Sequence, residues 1–479
     1  MQPKPLGPIA STRTPGWWYR DAIGDRLESP PPTGRISGRQ RADVVVVGGG
    51  FCGLWTAITL KQRRPQARVL LLEADRCGSG ASGKNGGIVS GYWGSLRGLE
   101  ASLGADGALT VARLGSRAQD ALRQYCTAAG RDVGWREAGK VAVATDASQL
   151  PRIDAALDTA RRLAASASVV RLSPAEVQAH CASPAMLMGL YYPEGATVHP
   201  GRLVNALVAT ARALGVEVYE QTPASTLVRR SPAVLALPGA EIIAADVVLA
   251  TNASLSTEAE LARCLTLLSS YAVMTAPAPE ALQRQGWHGD VALHDLRMFL
   301  HYFRKTPDGR VLMGSGSGPI ARTGATRSPG LDQDPASGQR AERGLRRLLP
   351  ALAGVACEPA WGGVIDVASD RLPWIGTFAG TRVHYACGFS GHGVNPTYIA
   401  AQCLSARILN EPDDWSRSPF CMRTPPALPP EPWRTLGGRA IRWGILTCEE
   451  AVQDGRPEPR LARGLAALPA RLGMRIGTR

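Results

Sequence analysis

The 479-residue sequence predicts an α/β fold built on two sheets, and three observations carry that reading. Between Asp43 and Glu73 a strand, a helix and a second strand follow one another. The apolar run Ala245 to Asn252 is placed to bring the chain back to the same sheet. Further strand-like runs, Ser269 to Met274 and Leu300 to Phe303, require a second sheet to pair in.

The first of these is the most specific. Asp43 to Val47 is rich in β-branched residues, long enough for a buried strand and too short for a helix. Gly48, Gly50 and Gly53 follow, then a helical segment, Leu54 to Lys61, and a second apolar run, Val69 to Leu72, closed by Glu73. In such a unit the first glycine allows the tight turn, the second lets backbone approach a pyrophosphate, and the third lets helix and strand pack closely. The helix N-terminus offers free N–H groups and the positive end of its dipole to phosphate. An acid at the end of the second strand accepts hydrogen bonds from ribose hydroxyls, which favours FAD or NAD over NADP. Glycines alone mark many plain turns; strand, helix and acid together read as a nucleotide site.

Composition bounds the rest. This length supports two sizeable domains, and 44% hydrophobic residues is ordinary for a globular chain. No run of about 18 apolar residues is present, so a membrane-spanning helix is excluded. The polar, Pro/Arg-rich N-terminus lacks the apolar stretch of a signal peptide, and the expected location is cytoplasmic. The ten cysteines are scattered singly, which reads as reduced thiols rather than a disulfide framework or a metal site. The net charge of +14 raises nucleic acid as a partner. Only Lys4, Lys61, Lys84, Lys140 and Lys305 among the 54 basic residues are lysine, however. An arginine bias with abundant Ala, Gly and Pro points to codon composition, and most of the charge is interleaved with acids.

In chain order, residues 1–40 form a loop-rich arm with Pro30-Pro31-Pro32, anchored by Trp17-Trp18-Tyr19 on the surface of the main body. Cys77 to Trp93 is dense in glycine, as expected of backbone running close to a ligand; Lys84, Asn85 and Gly86-Gly87 favour that over a floppy loop. Leu99 to Ala129 reads as a long amphipathic helix, and Val133 to Val143 alternates like a β-hairpin. Ser173-Pro174-Ala175-Glu176 is a capping box. Gly201 to Leu214 reads as a helix and Val216 to Glu220 as a strand. Pro307-Asp308-Gly309 marks a hairpin turn before Val311 to Met313. Gly314 to Gly330 reads as a loop or gate, and Gln339 to Leu349 as a basic, solvated helix. A strand, Val383 to Ala386, a glycine-rich turn and a helix, Tyr398 to Leu409, repeat the earlier pattern with a histidine at the turn; that helix start can stabilise negative charge. The Arg-rich end, Arg456 to Arg479, reads as frayed.

Taken together these stretches resemble the FAD-dependent D-amino-acid oxidase superfamily, the group of glycine oxidase and monomeric sarcosine oxidase. Within it the chain looks most similar to the γ-glutamylputrescine oxidase-like amine oxidoreductases. The matching residues are Gly48 to Gly53 with Glu73, Ala81 to Gly87, His199-Pro200-Gly201-Arg202, Ala250 to Ala253, Trp361-Gly362-Gly363 and Gly388 to Gly393. The Trp-Trp-Tyr arm and Glu431-Pro432-Trp433-Arg434 are similar to the subgroup as well.

The resemblance implies a Rossmann-like FAD-binding lobe interleaved with an antiparallel β-sheet substrate lobe. The division it implies is an arm at 1–40, an FAD lobe of 41–100, 185–255 and 355–412, a substrate lobe with helices at 101–184 and 256–354, and a tail at 413–479. By the same resemblance FAD is held by Gly48, Gly50, Phe51, Cys52 and Gly53; by Glu73 and Ala74; by Ser82, Lys84, Asn85, Gly86, Gly87 and Ile88; and by Thr251, Asn252 and Gly363. Gly388, Phe389, Ser390, Gly391, His392 and Gly393 complete the set, with His392 beside the pyrimidine end of the flavin. The implied chemistry is oxidation of a C–N bond in a small amine or amino acid. Hydride passes to flavin N5, the imine is hydrolysed, and O₂ is reduced to H₂O₂.

Where sarcosine-oxidase relatives attach flavin through a cysteine this chain has Gly363, so FAD is expected to be non-covalent, with Cys387 a second attachment candidate. Where they place an oxygen-activating lysine, only Arg322 or His301 is near, which keeps a dehydrogenase with another acceptor as the alternative. An RNA-linked flavoprotein rests only on the net charge. For the substrate, Arg304 and Arg297 are candidates to hold a carboxylate. Tyr302 rather than Phe303 is expected to face the flavin, since neighbours on a strand point to opposite sides. His288, His294 and His301 read as ordinary polar residues.

Overall fold

The computed structural model describes residues 4–5, 15–24, 36–326 and 328–471. Pro30 to Pro32 and the last eight residues of the Arg-rich end lie outside the described residues. The first sheet has a parallel core in which strand Gly38–Val47 lies between Ala240–Leu249 and Val69–Leu72, with Glu217–Tyr219 beyond the latter. Strand Ala240–Leu249 divides its pairing. Its first half meets Ala233–Leu237 antiparallel, and its last three residues meet Val383–Cys387 in parallel.

The reason Val44 to Val47 reads as an unbroken apolar run is visible in the packing. Val44 and Val46 enter the core formed with helices Phe51–Arg63 and Pro396–Leu409, whereas Val45 and Val47 enter the core on the opposite face. Val69 to Leu72 divide in the same way. A sheet covered on both faces needs apolar residues at every position.

The second sheet runs through Leu265–Met274, Val311–Ser315, His301–Lys305, Ala292–Asp295, Lys140–Val143 and Gly189–Tyr192, with Trp361–Ala368 also paired to Leu265–Met274. It is antiparallel except where Ala292–Asp295 lies parallel to Lys140–Val143. Strands Gly189–Tyr192 and Trp361–Ala368 therefore pair in this sheet, although the sequence division placed both segments with the first lobe. Helix Leu96–Thr127, divided between the lobes at residue 100, packs along the first lobe's core.

Several expectations are corrected by long-range packing. Residues 133–143 form no hairpin: only Lys140–Val143 is a strand, and its partners lie some 50 and 150 residues away because the sheet's hydrogen bonds are supplied from there. Helix Leu96–Thr127 starts before Leu99 and is interrupted at Gly104, where φ is 72°. Trp17–Ile23 is a helix, and Trp18 and Tyr19 are buried rather than docked on the surface. Trp18 meets His199 edge to face at 4.7 Å. His199 in turn caps helix Pro200–Ala213, its Nδ1 accepting from Arg202 N and its Nε2 donating to Asp21, so the arm is tied into the body. Helix Pro335–Leu348 is not merely solvated, since Ala341, Leu345 and Leu348 enter a core packed on the second sheet with Val141, Leu293 and Phe303.

The largest correction concerns the C-terminal end. Arg460–Arg471, within the stretch expected to be frayed, is a helix packed on helix Trp433–Gln453. The arginines of helix Trp433–Gln453 reach backbone carbonyls of the second lobe: Arg442 donates to Ser317 and Gly318, and Arg434 donates to Leu265. Arg340 pairs with Glu450 at 3.2 Å. Among the described residues no helix is long and apolar enough to cross a membrane.

Candidate functional site

A cavity of about 380 Å³ opens where the C-terminal ends of the first sheet's strands face the second sheet. Three groups of residues build its wall.

The first is the glycine turn. Gly48 leaves its strand with φ of 114°, a conformation closed to side chains, and a Cβ there would lie 2.5 Å from Ala250 O. A Cβ on Gly53 would lie 1.9 Å from Gly48 O, so this glycine sets how closely helix Phe51–Arg63 sits on its strand. Ser82 Oγ accepts from Phe51 N at 2.9 Å. The Glu73 carboxyl accepts from Gly49 N at 2.7 Å and from Asp75 N at 2.9 Å, one bond to each oxygen, leaving each a further lone pair. Burial pushes Glu73 upward, and these two bonds oppose it.

The second group is the glycine-dense loop, which is built rather than floppy. Asn85 Nδ2 donates to Ser82 O and its Oδ1 accepts from Gly87 N, both at 2.8 Å. Gly86 lies under the Tyr302 ring, where a Cβ would meet the ring at 2.8 Å. The Lys84 side chain is buried with its Nζ 3.8 Å from Asp332 Oδ1, and burial lowers it to about 8.

The third group is one face of the second sheet. Tyr302 pairs with His294 and with Gly314, and Ser270 pairs with Gly363. Tyr302, His294, Ser270 and Gly363 all border the cavity, whereas Leu293, Phe303 and Met313, one residue along their strands, enter the opposite core. Ser270 Oγ donates to Ser315 O at 3.1 Å and accepts from the Tyr302 hydroxyl at 3.0 Å.

The wall is completed by residues 391–397, at the start of helix Pro396–Leu409, so two helix N-termini face the same space. His392 is open to the cavity, and its Nδ1 donates to Ser390 O at 3.2 Å. The surrounding protein, with Arg371 and Lys140 adding positive field, pushes it down to about 4, so at neutral pH Nε2 is a bare acceptor. Behind the turn Asp366 Oδ2 accepts from Gly388 N at 2.6 Å, while Oδ1 has no hydrogen-bond partner among the described residues.

Burial pushes Asp366 up to about 7 from 3.8. The folded protein thus retains a proton that the unfolded chain releases in this window. The carboxyl's stabilising contribution is complete below about pH 4 and is lost as pH rises to about 7. Asp366→Asn is expected to gain stability relative to the wild type over that range and to hold the gain above it. Denaturant unfolding of both proteins between about pH 4 and pH 8 measures this; a constant difference would remove the assignment.

Most of the expected residues meet here. Gly48, Gly50, Phe51, Cys52, Glu73 and Ala74 border the cavity, as do Ser82, Lys84, Asn85, Gly86 and Ile88. So do Thr251, Asn252, Gly363, Phe389, Gly391, His392 and Gly393. Gly53, Gly87, Gly388 and Ser390 are outside that lining, and Gly53, Gly388 and Ser390 shape the turns from behind.

Arg304 does not border it. Its Nη1 donates to Val198 O at 2.6 Å and Gly87 O at 3.2 Å, because tertiary packing brought two buried carbonyls within reach. Arg297 is likewise committed, to Asp295 at 3.3 Å. His301 bonds the same carboxyl, and neither it nor Arg322 reaches the cavity. Cys387 is buried away from it, with Sγ 3.7 Å from Trp374 O. Cys52 is the cysteine on the wall, and burial pushes its thiol up to about 12.

Sequence reasoning missed Lys140, Asp366 and Ser270 as wall residues and read His294 as ordinary. The available signal was alternation within the strands, but it needs the register to say which face is inward. The wall fits FAD: a backbone cradle at a helix start, an acid with lone pairs to spare, and a buried carboxyl oxygen without a partner.

Residues 43–407 match the family described as FAD dependent oxidoreductase. The chain is 29% identical over 367 residues to the gamma-glutamylputrescine oxidoreductase of Escherichia coli, covering 76% of this chain and 82% of that one. It superposes on glycine oxidase from Geobacillus kaustophilus with a TM-score of 0.66 at 21% identity, over 80% of this chain and 99% of that one. It superposes on L-proline dehydrogenase from P. horikoshii with a TM-score of 0.65 at 17% identity, over 80% and 96%. At these identities the structural likenesses establish the fold.

Proposed function

The chain belongs to the FAD dependent oxidoreductase family, and we propose that it oxidises a C–N bond of a small amine or amino acid, with O₂ as the final acceptor. The observation that carries the reading is a single cavity joining the glycine turn and two helix starts to a polar sheet face. Gly48 to Phe51 would hold the pyrophosphate, Glu73 the ribose hydroxyls, and the 391–393 backbone with His392 the flavin's pyrimidine end. Bound there, FAD supplies the hydride acceptor that is reoxidised by O₂ to give H₂O₂, and the imine product is hydrolysed in water.

The chain's own residues position and screen. Tyr302, held by Ser270, packs on Gly86 and presents an aromatic edge to the substrate space. His392, with Nδ1–H fixed on Ser390 O, presents Nε2 to the cavity, where added negative charge would raise its proton affinity. Cys52 supports non-covalent FAD, since a thiol held at about 12 is a poor nucleophile.

The test is anaerobic mixing of the purified yellow protein with amines and amino acids, then admission of air, followed at roughly 450 nm where oxidised flavin absorbs. Bleaching by one substrate and recovery in air with H₂O₂ is expected. Bleaching that air does not reverse would assign a different electron acceptor, and a protein that takes up no FAD would sink the reading.

A further inference from the structure

Two of the free cysteines meet outside the cavity, although no short spacing in the sequence announces them as a pair. Cys403 lies two turns into helix Pro396–Leu409, and Cys421 lies in the short helix Pro419–Met422. The chain between them folds back through Trp415, whose carbonyl is the meeting point. Cys403 Sγ donates to Trp415 O at 3.1 Å, and Cys421 Sγ lies 3.9 Å from the same oxygen. The two thiols are also in hydrogen-bond contact with each other.

The pair is asymmetric. Arg407 Nη2 donates to Cys421 O at 3.3 Å, which brings the guanidinium beside that residue's sulfur. The hydrogen bond from Cys403, and then the Arg407 charge, hold the Cys421 thiol below its ordinary value against burial and the Asp413 carboxylate. Burial pushes Cys403 well above its own, and the contact with Cys421 adds to that. Once Cys421 loses its proton, the Cys403 S–H can turn from Trp415 O to the thiolate, which is the nucleophilic form. Access differs in the same sense. Cys403 is fully buried, whereas Cys421 is 8% exposed and its neighbour Met422 is 70% exposed.

We propose that Cys403 and Cys421 form a peroxide-reactive dithiol, in which Cys421 attacks hydrogen peroxide and Cys403 resolves the product as a disulfide. In the first step the Cys421 thiolate attacks one peroxide oxygen, and an S–O bond forms as the O–O bond breaks. The other oxygen leaves as hydroxide and takes up a proton, so peroxide is reduced to water and the sulfur is oxidised to sulfenic acid. In the second step the Cys403 sulfur attacks the sulfenic sulfur. The S–S bond forms, the S–O bond breaks, and a second water leaves with the Cys403 proton. The bond would tie helix Pro396–Leu409, whose start faces the cavity, to the segment that follows it. Added peroxide suffices for the reaction, so the inference stands apart from the flavin reading given above.

The test treats the full-length, FAD-loaded protein with equimolar hydrogen peroxide, removes the excess with catalase, alkylates the remaining thiols in denaturant and maps the peptides by mass spectrometry. Selective loss of alkylation at Cys403 and Cys421 is expected, with a cross-linked peptide pair two hydrogens lighter, both reversed by dithiothreitol. The oxidised protein is expected to unfold at a higher denaturant midpoint, since the link closes a loop in the unfolded chain. Cys403→Ser is expected to leave a Cys421 sulfenic acid that dimedone traps, without a cross-link, and Cys421→Ser to leave Cys403 unreacted. Full alkylation of both cysteines after peroxide overturns the proposal. So does oxidation that consumes the half-buried Cys357 as fast as these two, and so does a Cys421 sulfenic acid that persists in the wild type. The wild-type cross-link decides the matter even where a variant fails to fold.

Discussion

Gly53→Ala is expected to give a protein that retains little FAD and is destabilised by about 3 kcal/mol or more, at the upper end of what overpacking costs. The added methyl would lie 1.9 Å from Gly48 O and 3.2 Å from Val46 Cγ1. The nearest atom is backbone in the turn that cradles the pyrophosphate, so no side-chain rotation relieves the clash. Helix Phe51–Arg63 must lift from strand Gly38–Val47, and residues 51–61 of that helix are all buried. The displacement moves the helix N-terminus away from the cavity, and so weakens anion binding as well as packing. The ratio of flavin to protein absorbance and a denaturant titration read the two effects. Full flavin content with an unchanged unfolding midpoint would show that the turn does not set this site.

Arg304→Ala is expected to cost about 2–5 kcal/mol of stability, because a buried carbonyl loses its donor and a large side chain leaves a void. Arg304 is 2% exposed, and burial lowers it to about 9. Its guanidinium donates to two buried carbonyls and lies 5.1 Å from the centre of the Trp18 ring. Truncation takes the donor from Val198 O, worth about 1–3 kcal/mol when unpaired, while Gly87 O keeps Val198 N at 2.8 Å, and it opens a void beside Trp18. Arg304→Lys is expected to recover only part of the loss, since a compact ammonium does not reproduce the packing of the planar guanidinium beside Trp18. Unfolding of the FAD-loaded variants measures this. A raised KM for a carboxylate-bearing substrate with an unchanged unfolding midpoint would instead restore Arg304 as a ligand residue.

These two positions show why one kind of residue was legible in the sequence and another was not. Gly53 belongs to a turn whose chemistry is complete within about 30 residues: strand, turn, helix, second strand, acid. Ser173 with Glu176 is of the same kind, and its capping box forms as the sequence predicts. Arg304 and Arg297 were chosen by residue type in a strand region, and type alone does not say which buried groups will claim a guanidinium. The C-terminal helix was misread for a related reason. Arg460–Arg471 looks solvated in isolation, yet Ala462 is buried against Gly444 of helix Trp433–Gln453, whose own Arg434 and Arg442 find carbonyls more than 100 residues earlier in the chain.

Local covalent and periodic constraints, acting over a few residues, are therefore what the sequence by itself determined. They set the glycine turn, Glu73 at its strand end, the two strand–turn–helix units and the apolar runs of a sheet covered on both faces. The tertiary structure alone decided that Lys140 rather than Arg304 stands on the cavity wall, that Tyr302 shares a face with His294, and that Trp18 is buried. The strand residues depend on the register between strands distant in sequence, and Trp18 on the packing of its helix against His199. A shift of one residue exchanges the two faces of a strand, and alternation within a strand separates the faces without saying which one meets the cavity.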